Sequence, residues 1–170
     1  MGKFRGIMAC VSALALAVGC SPKKESVETL TGGLALDSYR LANGLKLGVV
    51  EDPTSPTVAI QVWYQVGSRD EKAGQTGLAH LFEHMMFKRT KNLKEGEFDR
   101  KLEMAGAEGS NAYTVRDATV YVVEVPKESL ELALSLEAER MENLIIDDES
   151  FRTEREVVQN ERRQSYENNP

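Results

Sequence analysis

Cysteine is nearly absent from this 170-residue chain, with only Cys10 and Cys20, both within the first twenty residues. Everything after Cys20 therefore lacks a thiol, which excludes an internal disulfide, a cysteine nucleophile and a thiolate metal site from the folded part. Histidine is as scarce: His80 and His84 are the whole supply. Acidic residues outnumber basic ones by 27 to 21, for a net charge of -6. With no basic stripe and no interleaving of aromatic and basic residues, a nucleic-acid partner is not expected. Long apolar runs are missing too. The longest, Ile7 to Val18, falls short of the ~20 residues that cross a bilayer as a helix. No internal repeat or low-complexity tract occurs. What is present is an ordinary globular composition, 41% hydrophobic and 28% charged, in a length suited to one domain with a core.

The first twenty residues read as a targeting segment. Lys3 and Arg5 form a positive n-region, and Ile7 to Val18 has the length of a signal h-region. Leu16-Ala17-Val18-Gly19-Cys20 resembles the end of a bacterial lipoprotein signal, in which the cysteine becomes the lipidated N-terminus. That resemblance implies export, consumption of the Cys20 thiol by lipid, and membrane attachment through the anchor. Ser21 in place of Asp favours the outer membrane of a Gram-negative bacterium, facing the periplasm. An ordinary cleaved signal and an uncleaved anchor are the alternatives. Residues 21–36 are polar and glycine-containing and read as a flexible tether, leaving 37–170 as the folded domain.

Asn43-Gly44 between two strand-like runs predicts a hairpin. Val58 to Val66, β-branched and aromatic, predicts a central strand. Helices are predicted over Leu78–Phe87, Glu97–Ala105 and Lys127–Leu144, and from about Glu149 to Tyr166. In the third of these, Leu130, Leu134, Glu137 and Met141 share one side. Asn111–Val115 and Thr119–Val125 read as paired strands. Strands that form hairpins between helices predict an α+β fold, an antiparallel-rich mixed sheet packed against helices. The end at Asn168-Asn169-Pro170, without capping glycine or closing strand, reads as that of a truncated product or fragment.

The two histidines are four apart, in His80-Leu81-Phe82-Glu83-His84. On a helix they share a face and can hold one metal ion, with Glu83 beside it. Random placement sets two histidines four apart roughly 1% of the time, and a glutamate at one fixed place between them lowers this to ~0.1%. The competing reading is two surface histidines with a charged neighbour. A catalytic zinc ion takes three protein ligands and keeps one open position. Without further His or Cys the third must be Asp or Glu, and the last predicted helix offers Glu149, Glu154, Glu156, Glu161 and Glu167. Spacing leaves that choice open. Glu154 and Glu161 share a face with Val157 and Val158, where a carboxylate is costly unless paired or bound, which favours these two over their neighbours.

His-x-x-Glu-His is the inverted order of the common zinc-protease motif. Gly77 to Phe87 (GLAHLFEHMMF) closely resembles the inverzincin peptidases of the pitrilysin, insulin-degrading enzyme and mitochondrial processing peptidase family. The resemblance extends from about Tyr39 to Pro170. It implies Glu161 as third ligand, since 76 residues separate it from His84. It implies Glu154, seven residues earlier, as a second glutamate supporting catalysis. Asn111-Ala112-Tyr113-Thr114 matches the family's substrate-aligning edge strand, and so assigns Asn111 and Ala112 to substrate. The expectation is then a zinc metalloendopeptidase: one Zn2+ on His80, His84 and Glu161, Glu83 as general base, peptides or unfolded polypeptides as substrates. Family subunits have two related halves closing as a clamshell. The chain ends within the first, so a second half in the same chain or a partner subunit is implied. A non-catalytic or partner-dependent subunit of the same family is the alternative.

Overall fold

The structure, a computed structural model, describes residues 22–167. The targeting segment and Cys20 lie outside the described residues. No described helix is long and apolar enough to cross a membrane. The chain divides into two units between Ser55 and Pro56.

The first unit holds three strands, β1 (Lys23–Thr29), β2 (Ala35–Arg40) and β3 (Lys46–Val50), in the antiparallel order β1-β2-β3. The expected hairpin joins β2 to β3. Its turn closes through Leu41 N–H on the Leu45 carbonyl (2.9 Å). Asn43 Oδ1 accepts from Leu45 N–H (3.0 Å), and Gly44 takes φ +90°, a conformation that glycine adopts without a Cβ penalty. The segment expected as a tether instead carries β1 and the start of β2. Every residue of β1 is exposed, so no apolar alternation marks it. It is held by its ladder to β2 and by the ion pairs Lys24–Asp37 and Glu25–Arg40.

The second unit contains β4 (Thr57–Tyr64), β5 (Glu108–Thr114) and β6 (Thr119–Pro126) with four helices, α1 (Leu78–Met85), α2 (Glu97–Met104), α3 (Leu130–Asn143) and α4 (Asp148–Glu167). The strand order is β4-β6-β5, again antiparallel. The central strand is therefore β6, and β4, expected at the centre, is an edge among the described residues. β6 pairs on both sides and is the most buried strand, which suits its run of Val120, Tyr121, Val123 and Val125. Phe98 and Leu102 of α2, Val123 and Val125 of β6, and Ala133 and Leu136 of α3 form one apolar cluster. The α+β class is as expected. The antiparallel pairing is as expected too, and it is distributed over two three-stranded sheets among the described residues.

Lys127–Ser129 forms a 3₁₀ turn, so α3 starts at Leu130 rather than Lys127. Its buried face is Ala133, Leu136, Glu137 and Arg140, while Met141 faces solvent. Arg140 and Glu137 bond bidentately at 2.8 and 2.7 Å, both buried. The guanidinium lies 4.2 Å from the Tyr121 ring centre and 4.7 Å from that of Phe98. An ion pair fits this core because aromatic faces and the paired carboxylate offset its lost hydration. Burial pushes the Glu137 carboxyl above its ordinary pKa, against the pull of Arg140.

Candidate metal centre

Helix α1 is seeded by its flanks. Gly77 precedes it with φ +93°, and the Glu71 carboxylate accepts from Gly77 N–H (3.0 Å) and Ala79 N–H (2.9 Å). A carboxylate on the free N–H groups of a first turn satisfies them and complements the helix dipole. The loop before it is stitched to the β5–β6 turn: Ser68 N–H donates to the Val115 carbonyl (3.1 Å) and Arg69 N–H to that of Arg116 (2.8 Å). Gly67 permits this approach, since a Cβ there would lie 2.4 Å from the Val115 oxygen. Leu81 and Met85 bury one face of α1, while Phe82 is 42% exposed.

His80 and His84 lie one turn apart, Nε2 to Nε2 at 3.2 Å. Glu161 Oε2, brought in by α4, lies 3.7 Å from His80 Nε2 and 3.5 Å from His84 Nε2. Donors at ~2.0–2.2 Å from a tetrahedral zinc ion stand about 3.4 Å apart, so the three separations fit one such ion. Two imidazole nitrogens and a carboxylate oxygen, with no fourth protein donor in the group, also fit a zinc site that keeps an open position. The side chains of His80 and Glu161 are 40% and 44% exposed, whereas His84 is 20%. The cluster opens to solvent on the His80 and Glu161 side and is closed behind His84.

Behind His84 stands Glu154, whose Oε2 is 3.1 Å from His84 Nδ1. With Nδ1–H donating to this carboxylate, the Nε2 lone pair is left for the centre. Glu154 is buried and Glu161 half-buried, although both lie on the same side of α4. The remaining Glu154 oxygen takes the Lys88 ammonium at 2.7 Å. Glu83 is also buried, its carboxylate accepting from the Thr114 hydroxyl at 2.5 Å. Thr114 in turn sits at the end of β5, where it pairs with Thr119.

Asn111 and Ala112 lie on β5, whose second edge is unpaired among the described residues. Asn111 is exposed, and its Oδ1 accepts from the Ala112 N–H (2.9 Å). The structure thus brings His80, His84, Glu161, Glu83 and Glu154 together and sets Asn111 and Ala112 on the strand that ends at Thr114. Sequence reasoning missed Glu71, Thr114 and Lys88. Thr114 stood inside a quoted motif without a role, Glu71 precedes by a few residues the helix start whose N–H groups it accepts from, and Lys88 carries no local signal because Glu154 comes from α4.

The Insulinase (Peptidase family M16) model matches residues 47–170. The zinc protease PqqE of Helicobacter pylori is 44% identical over 149 residues, covering 88% of this chain and 31% of that protein. A probable mitochondrial-processing peptidase subunit beta of Schizosaccharomyces pombe is 34% identical over 122 residues, covering 72% of this chain and 26% of that one. The crystal structure of pitrilysin superposes with a TM-score of 0.74 at 26% identity, over 86% of this chain and 16% of its own. The chain spans about a third or less of the length of these relatives.

Proposed function

The chain belongs to the insulinase family, peptidase family M16, and from that premise we propose that it carries the zinc site of a metalloendopeptidase acting on peptides or unfolded polypeptides. The observation that carries this reading is the convergence of His80, His84 and Glu161 at zinc-ligand separations beside a buried, hydrogen-bonded Glu83. Zn2+ held there would supply Lewis acidity, lowering the pKa of a bound water towards ~7 and polarising the scissile carbonyl. Glu83 takes the proton that the attacking water gives up and delivers it to the amine as the C–N bond breaks. The Thr114 hydroxyl keeps the Glu83 carboxylate aimed. Glu154 holds the His84 tautomer. Substrate adds as a strand along the free edge of β5, aligned by Asn111 and Ala112, which requires the Asn111 side chain to release the Ala112 N–H.

The relatives' greater length supports a second reading within this one: further polypeptide, in the same chain or in a partner subunit, completes the substrate chamber. Lys3, Arg5, the apolar stretch to Val18, and Cys20 support export to the periplasm and lipid attachment at Cys20.

Cleavage of an unstructured peptide by the full chain tests the proposal. Chelation should abolish cleavage and added zinc restore it. Glu83→Gln should retain one zinc ion and lose hydrolysis by at least a hundredfold. Loss of the metal together with activity in Glu83→Gln would remove Glu83 from the role of base.

A further inference from the structure

We propose that Lys88 is a positioning residue for the metal-binding nitrogen of His84, acting through Glu154. The proposal rests on the zinc reading above and adds a residue to it. Glu154 has a hydrogen-bond partner on each oxygen: His84 Nδ1 on Oε2 at 3.1 Å, and Lys88 Nζ on Oε1 at 2.7 Å. Two partners in different directions fix the plane of the carboxylate, and that plane decides where the imidazole points. The Glu154 side chain is 8% exposed, so its charge cannot rely on solvent. A buried carboxylate facing only a neutral imidazole N–H would carry an uncompensated charge. The Lys88 ammonium supplies that compensation.

Lys88 is itself held from two directions. Glu95 accepts from its Nζ at 2.7 Å on the solvent side, with a side chain 64% exposed. Burial pulls the Lys88 ammonium down, but Glu154 and Glu95 outweigh it and hold the group above its ordinary pKa. The backbone around Lys88 is anchored independently of this ion pair. Lys88 N–H donates to the Met85 carbonyl (3.0 Å), Ile145 N–H to the Arg89 carbonyl (3.1 Å), and Lys91 N–H to the Asn143 carbonyl (2.8 Å). The side chain is therefore aimed at Glu154 by a fixed frame. Removing the ammonium leaves that frame in place.

Chelator-competition titration of zinc into the full chain reads the effect. Lys88→Met keeps the apolar stem and should weaken zinc affinity about tenfold, the lower end for losing a partner of a ligating histidine. Lys88→Arg should stay within about threefold of wild type, and the milder Lys88→Gln should move in the same direction as Lys88→Met. In a Glu154→Gln background Lys88→Met should cost nothing more, because the path to His84 is already cut. In the zinc-free protein, imidazole 15N spectra should show His84 losing its single Nδ1–H tautomer in Lys88→Met. Wild-type affinity in Lys88→Met, an equal loss in Lys88→Arg, or the same tenfold loss in the Glu154→Gln background would each overturn the role of Lys88 while leaving the zinc site standing. A wild-type chain that takes up no zinc would overturn the zinc reading and this proposal with it.

Discussion

The two sheets use the same antiparallel pairing and are held in opposite ways. In the sheet of β1, β2 and β3 no residue is buried, and its cross-strand ion pairs stand in solvent. In the unit of β4, β6 and β5 most of the central strand is buried, and buried charges occur among the described residues as partnered sets: Glu137 with Arg140, Glu83 with Thr114, Glu154 with His84 and Lys88. Pairing alone makes a strand. Burial is what turns a carboxylate into a fixed, directional group, and every residue of the candidate metal centre lies in the second unit.

The sharpest way to break this contrast is to strand a buried charge. Arg140→Met leaves Glu137 buried without its counter-ion, at a cost of about 3–5 kcal/mol in urea unfolding of the second unit at neutral pH. The loss should shrink in acid. Burial already raises the Glu137 carboxyl above its ordinary value of 4.5, so the folded variant binds a proton that the unfolded chain releases. Its stability is then fully present below that value and falls as pH rises above it. A cost independent of pH would mean that Arg140 acts through packing on Tyr121 and Phe98 alone.

A smaller effect is expected at the start of α4. The Asp147 carboxylate is held down to about 2 by the Ser150 N–H, by Arg89 and by the Ser150 hydroxyl. A depressed carboxylate stabilises above its unfolded value of 3.8 and loses that contribution as pH falls through about 2. Asp147→Asn should therefore melt a few degrees below wild type at pH 6. Below about pH 2 the two should coincide. A gap that persists in acid would assign the effect to shape and not to charge.

The smallest effect belongs to the first sheet. Lys24→Met removes an exposed pair that salt and water already screen, and the unfolding midpoint should stay within error. A clear drop would show that the ladder of β1 depends on Lys24–Asp37, and the contrast between the sheets would weaken.

Much of the site was legible in the chain because helical spacing is local. His80 and His84 had to share a face, and Glu154 stood on the apolar side of its helix, where the structure buries it. The hairpin at Asn43-Gly44 was legible for the same reason. β1 was not, since a strand exposed on both faces has no alternation to read. The buried face of α3 was legible at Glu137 but not at Arg140, which looks like a surface residue until paired and is buried while Met141 faces solvent. β4 was read as central because its run is β-branched and aromatic, but only the pairing partners decide which strand lies at the centre, and that is β6. Lys88 was invisible for a related reason: it acts on Glu154, which only the folded chain brings near.

Zinc X-ray absorption of the metal-loaded full chain, wild type beside Glu161→Gln, tests the central claim most directly. The wild type should show nitrogen and oxygen neighbours only, with outer-shell scattering from two imidazoles. Glu161→Gln should keep both imidazoles and lose the carboxylate contribution, with weaker zinc affinity. Identical spectra and affinities for the two proteins, or a single imidazole in the wild type, would contradict a centre built from His80, His84 and Glu161.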